Sequence, residues 1–126
     1  MLAAALIVSL NTASMKGRDS RRLEDVKQLK NALQLYFDTF SGYPATLGLL
    51  APAYISAVPR DPIGGASYTY DLVGGTVYHL GANLERRDNI GLNSDADIDT
   101  ATIHGSDDTN CAGSASPPRY CYDVRP

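Results

Sequence analysis

Six aspartates fall between residues 88 and 110, with no lysine or arginine among them: Asp88, Asp95, Asp97, Asp99, Asp107 and Asp108. Carboxylates so crowded and uncompensated either lie solvated and repel one another or hold a cation. The alternation Asp95-x-Asp97-x-Asp99 lets an extended loop turn several oxygens toward one ion. Such donors suit calcium, which takes six to eight oxygens, better than magnesium, which keeps its waters. An EF-hand needs glycine at the sixth position and glutamate at the twelfth. Counted from Asp95, these positions are Thr100 and Ser106. The segment therefore predicts a calcium site of another kind. Asp95 and Asp97 are its first ligands, and Asn93, Asp99, Asp107 and Asp108 are further candidates. The competing reading is a solvated acidic loop.

The other reactive side chains are few. The two cysteines, Cys111 and Cys121, pair if the protein is extracytoplasmic; in the cytosol they would be two buried thiols, and a polar loop is a poor place to bury thiols. His79 falls on a strand opposite Tyr78 and Leu80, so exposure or a strand-edge position is expected. His104 lies in the acidic segment. Neither histidine has a partner at metal-ligand spacing. The motifs G-x-S-x-G and H-E-x-x-H are missing, as is any phosphate-cradling glycine loop. No catalysis is expected. A net charge of −3 disfavours nucleic acid as a partner.

The elements that must position these residues begin with a hydrophobic run, Met1–Leu10. Ten residues of helix rise about 15 Å, half of a hydrocarbon core. The run is thus half a span, a signal peptide without its basic start (Thr12-Ala13-Ser14 offering a cleavage site), or the start of a buried helix. Beyond it, Leu23, Val26, Leu29, Leu33, Tyr36, Phe37 and Phe40 recur at steps of three and four, one apolar stripe on a helical period. Arg21, Arg22, Glu24, Asp25, Lys27, Lys30 and Asn31 fill the other face. The spacing predicts one helix over 2–41, hydrophobic over 1–15 and amphipathic over 18–41. Gly17 is a weak point, and Gly42 takes the left-handed position after the last turn. A helix of roughly 60 Å outruns a domain whose radius of gyration is about 14 Å. Its apolar half must project, to be covered by a membrane or by copies of itself.

Residues 42–126 form the head. Leu47, Leu50, Tyr54, Ile55 and Val58 are core contacts in an irregular segment that contains one short helical piece. Two strands flank the Gly74-Gly75 turn, 67–72 with Tyr68, Tyr70 and Leu72 on one face, and 76–84 with Tyr78, Leu80, Ala82 and Leu84. A third strand, 119–124, follows the long polar segment. The layout is α+β: a long N-terminal helix packed on a small antiparallel sheet of about three strands.

This chain resembles the type IV pilin-like proteins, the group of type IV pilins and major pseudopilins of type II secretion. The opening LAAALIVSL run resembles the second half of that family's hydrophobic helix, and residues 17–29 resemble its amphipathic half. Gly42-Tyr43-Pro44 resembles the helix end. Tyr54-Ile55, Val58-Pro59-x-Asp61-Pro62, Tyr68-x-Tyr70 and Tyr78-x-Leu80-Gly81-Ala82-x-Leu84-Glu85 resemble the loop and first two strands. The likeness implies a pilin-like fold and a structural subunit of an extracytoplasmic pilus or pseudopilus filament. Leu2, Leu6, Ile7 and Leu10 would lie in the filament-core helix. The implied partners are copies of itself or other pilin-like subunits, and the inner membrane before assembly; the implied location is the periplasm or cell surface. The late cysteine pair resembles the family's C-terminal disulfide loop, and the acidic segment its calcium loop. The family's basic leader, its processing and methylation site, and its N-terminal glutamate are expected to precede what is written here. The alternative from another class is a secreted or membrane-anchored calcium- or ligand-binding module that does not polymerise.

Overall fold

A computed structural model describes residues 2–97, 103, 105, 110–112 and 119–126, with side chains from residue 10 onward. Helix α1 runs Leu2–Phe40, 39 residues in one piece. Good helix formers dominate it, and it runs unbroken through Gly17, as the single-helix reading expects. The helix stops one residue earlier than the glycine signal suggests. Ser41, not Gly42, takes the left-handed conformation (φ 57°), and its N–H donates to the Phe37 carbonyl at 2.7 Å. Gly42 serves close approach instead. A Cβ there would stand 3.3 Å from the Gly75 carbonyl oxygen, which accepts from the Tyr43 N–H at 2.9 Å. This pins the helix exit to the hairpin turn.

The sheet has three antiparallel strands in the order β1 (Thr69–Leu72), β2 (Tyr78–Leu84), β3 (Tyr120–Val124). Gly74 (φ 79°) and Gly75 (φ 40°) supply the positive φ angles that the β1–β2 turn requires. Register pairs Tyr70 with Leu80 and Ala82 with Tyr122. Alternation then fixes the faces. Tyr78, Leu80, Ala82 and Leu84 are buried, and the first three join Val26, Leu29, Ala32 and Leu33 of α1 in one core. A short 3-10 helix, Leu47–Leu50, adds Leu47 and Leu50, with Tyr54, Ile55 and Val58 packed behind. The fold is thus α+β, one long helix on a three-stranded antiparallel sheet.

Two assignments of helix faces change. Phe40 ends the apolar stripe yet is 60% exposed. It sits a turn beyond the core, where its ring meets Tyr36 at 4.5 Å between centroids. Arg22 and Asp25, read as polar-face residues, are buried, as is Asp19. Steps of three and four link Asp19, Arg22, Val26, Leu29 and Leu33. The charged residues therefore continue the core stripe toward the helix's N-terminal half.

Candidate functional site

Burying a guanidinium is costly unless carboxylates surround it. Arg22 meets that condition. Its Nε and Nη2 donate to the two oxygens of Asp61 at 2.7 and 2.9 Å, a bidentate pair. Its Nη1 donates to Asp19 Oδ1 at 2.7 Å and Glu85 Oε2 at 2.8 Å. Glu85 is also held by Arg18, at 2.6 and 2.8 Å, and by Arg119 at 3.2 Å. Asp19 accepts from the backbone N–H groups of Glu85 and Arg86 at 2.8 and 3.0 Å, so it caps the end of β2 from the helix. Three cations face three carboxylates here. The network ties α1 to the loop at Asp61, to β2 and to the start of β3. The Arg18 hydrogen bonds, helped against burial by Arg22 and Arg119, hold the Glu85 carboxyl down at about 2. Burial opposes ionisation of Asp61, yet the Arg22 hydrogen bonds win and lower it too. One turn further, Asp25 accepts from the Tyr68 hydroxyl at 2.6 Å; burial, then that bond, pushes the phenol well up.

The second cluster lies on the sheet face turned away from α1. That face of β2 presents His79, Gly81 and Asn83, and it is covered by the later chain. Cys111 and Cys121 form a disulfide, both sulfurs fully buried beside Ile103. The bond sits directly over Gly81: a Cβ there would fall 2.6 Å from Cys111 Sγ. Asn83 Oδ1 accepts from the Cys111 N–H at 2.7 Å. The cover also corrects the reading of His79. It does face away from Tyr78 and Leu80, but it is buried, and its Nε2 lies 2.7 Å from Asp123 Oδ2.

Asp123 then gathers the acidic segment. Its Oδ1 accepts from the Asp97 N–H at 2.9 Å, its N–H donates to Asp95 Oδ2 at 3.1 Å, and its carbonyl accepts from the Ala96 N–H at 2.9 Å. Asp97 adopts φ 50°, a conformation aspartate tolerates better than most residues. One oxygen each from Asp95, Asp97 and Asp123 lie within 4.8 Å of one another. Asp95 Oδ1 is shielded from solvent. The neighbouring Tyr122 phenol is raised by burial and then by the charges of Asp95 and Asp123. Oxygen donors alone, close together in a negative field, have the chemistry of a hard-cation site rather than a zinc site.

Of the expected ligands, Asp95 and Asp97 come together. Asn93 ends a short 3-10 helix, Ile90–Asn93, with its side chain exposed. Asp99, Asp107, Asp108 and His104 lie outside the described residues. Asp123 was missed, although it is in phase with Cys121 on a two-residue period and so shares the disulfide's face. Leu2, Leu6 and Ile7 lie on α1, their side chains outside the description; Leu10 is 66% exposed. Among the described residues, no helix is long and apolar enough to cross a membrane. No family of known proteins, no curated protein and no solved structure matches this chain.

Proposed function

We propose that this protein is a structural subunit of an extracytoplasmic filament of the type IV pilus or type II secretion pseudopilus kind. The observation that carries the reading is the division of α1. From Arg18 onward the helix is bonded to the head by the Arg22 network and the core. Before that point Leu10 stands bare, at the end of an apolar run. Exposed apolar helix is unfavourable in water and marks an interaction surface. In this reading the run sits in the inner membrane before assembly and then packs with its copies, or with other pilin-like subunits, in the filament core. The sheet faces outward at the periplasm or cell surface, and the protein has no catalytic role. The test is mechanical shearing and sedimentation of material from cells producing the complete gene product. Wild type should pellet as filaments. Leu10→Asp should fold, keep its disulfide and stay unassembled. Equal pelleting of both would refute the packing role.

A second reading is a non-polymerising calcium-binding module, favoured by the three oxygens of Asp95, Asp97 and Asp123. The two are compatible at the level of the site. Calcium held there would offset most of the cluster's charge and clamp the acidic segment to β3. Asp95 and Asp97 would supply carboxylate oxygens from the loop, and Asp123 from the strand.

A further inference from the structure

The cations at the base of the head are arranged differently from its anions. Residues 10–18 hold no acidic group, and Lys16 is exposed. In the Arg18–Glu85 and Arg21–Asp25 pairs the carboxylate is the inner partner and the basic group the outer one. Glu85 is 5% exposed against 30% for Arg18, and Asp25 is 10% against 64% for Arg21, only loosely paired at 4.0 Å. Two pairs reverse that order: Arg22 lies deeper than Asp61, and Asp88 is an exposed carboxylate held by Arg86 at 2.6 Å. Arg86 and Arg87 line the same shallow clefts as Met15 and Lys16, which brings the end of β2 alongside the helix at that level. Lys16 and Arg18 are about 200° apart around a helix of 3.6 residues per turn, so the cations stand on opposite sides of it. The chain as a whole is acidic, with its excess aspartates in the segment after β2, so this basic band is a local reversal of sign.

We propose that this band docks the head on an anionic phospholipid headgroup layer, with the apolar segment of α1 in the bilayer beneath it. The proposal rests on the membrane-inserted state in the reading above and adds a lipid preference to it. The dimensions agree. Lys16 lies six residues past Leu10, about 9 Å along the axis, close to the depth of a headgroup region. Arg21 is about 7.5 Å further, still within a Debye length of roughly 8 Å at physiological salt. A basic residue at such a surface strengthens partitioning about fivefold.

The experiment measures partitioning of the full-length protein into phosphatidylglycerol-containing and pure phosphatidylcholine vesicles, at low and high salt. Phosphatidylglycerol should bind more tightly, and salt should erase the difference. Lys16→Gln should weaken binding to the anionic vesicles about fivefold, and Lys16→Gln/Arg21→Gln further. Lys30→Gln, about 21 Å beyond Lys16 along the helix, should change nothing. Equal binding to both lipids overturns the electrostatic docking and leaves the apolar insertion standing. Binding to neither overturns both. An equal loss with Lys30→Gln overturns the localisation of the effect to this band.

Discussion

Replacing Arg22 with methionine removes the one guanidinium shared by Asp19, Asp61 and Glu85 while keeping much of the side chain's volume. Asp61 loses both of its bonds to Arg22, and Asp19 and Glu85 lose one each. Glu85 retains Arg18 and Arg119, and Asp19 retains two backbone N–H groups, so Asp61 bears most of the loss. Breaking a buried pair from one side costs about 3–5 kcal/mol, a large part of the roughly 5–15 kcal/mol that holds a domain together. For a chain of this size that corresponds to a fall in Tm of about 10–20 °C. Arg18→Met, which strips a part-exposed cation from a carboxylate with two others, should cost much less. Lys27→Met, on the exposed helix face, is the control. The pH dependence carries the same signature. Glu85 and Asp61 are held below the ordinary carboxylate range, so their contribution is complete above that range. Glu85's share is lost as pH falls from about 4.5 toward about 2, and Asp61's as pH falls below the ordinary carboxylate range. Without Arg22 both carboxyls are depressed less, and acid unfolding should begin at higher pH. Thermal and acid melts followed by circular dichroism measure both effects. A loss for Arg22→Met no greater than for Lys27→Met would refute the assignment of Arg22 as the tie between helix and head.

Gly81→Ala should cost about 1–3 kcal/mol or leave free thiols detectable by alkylation, because its Cβ would fall 2.6 Å from Cys111 Sγ; an unchanged melt would contradict the packing of the disulfide on β2. Ser41→Gly should stabilise by about 0.5–1 kcal/mol, since the left-handed position at φ 57° favours glycine, and a destabilisation in the same melt would contradict it. Calcium at a hundredfold excess over its Kd should stabilise by about 2.7 kcal/mol. Asp95→Asn/Asp97→Asn should abolish that gain; identical melts with calcium, magnesium and chelator would leave the segment a charged surface.

The sequence carried the backbone of the fold because its period is strong where packing is one-sided. Val26, Leu29 and Leu33, and Tyr78, Leu80 and Ala82, sit on repeats that the core enforces. The Arg22 network escaped because hydrophobic period counts only apolar residues. Asp19 and Arg22 keep the phase of the stripe but not its polarity, and their partners Asp61 and Glu85 lie 39 and 63 residues from Arg22. A charged residue in phase with a core stripe is the signal that was available. His79 was misjudged for a related reason. Its face was right, but the second cover over the sheet comes from chain with no periodicity to read. Asp123 escaped because it stands apart from the run of aspartates, whereas the cluster is built between that run and the last strand.

The filament reading stands or falls on where α1 lies in an assembly. Electron cryomicroscopy of filaments sheared from cells producing the complete gene product tests it most directly. The expected result is density for this chain, with the apolar half of α1 against its copies at the axis, and with β1–β3 and the disulfide on the outside. Filaments lacking this chain, or a monodisperse protein that never sediments, would contradict it.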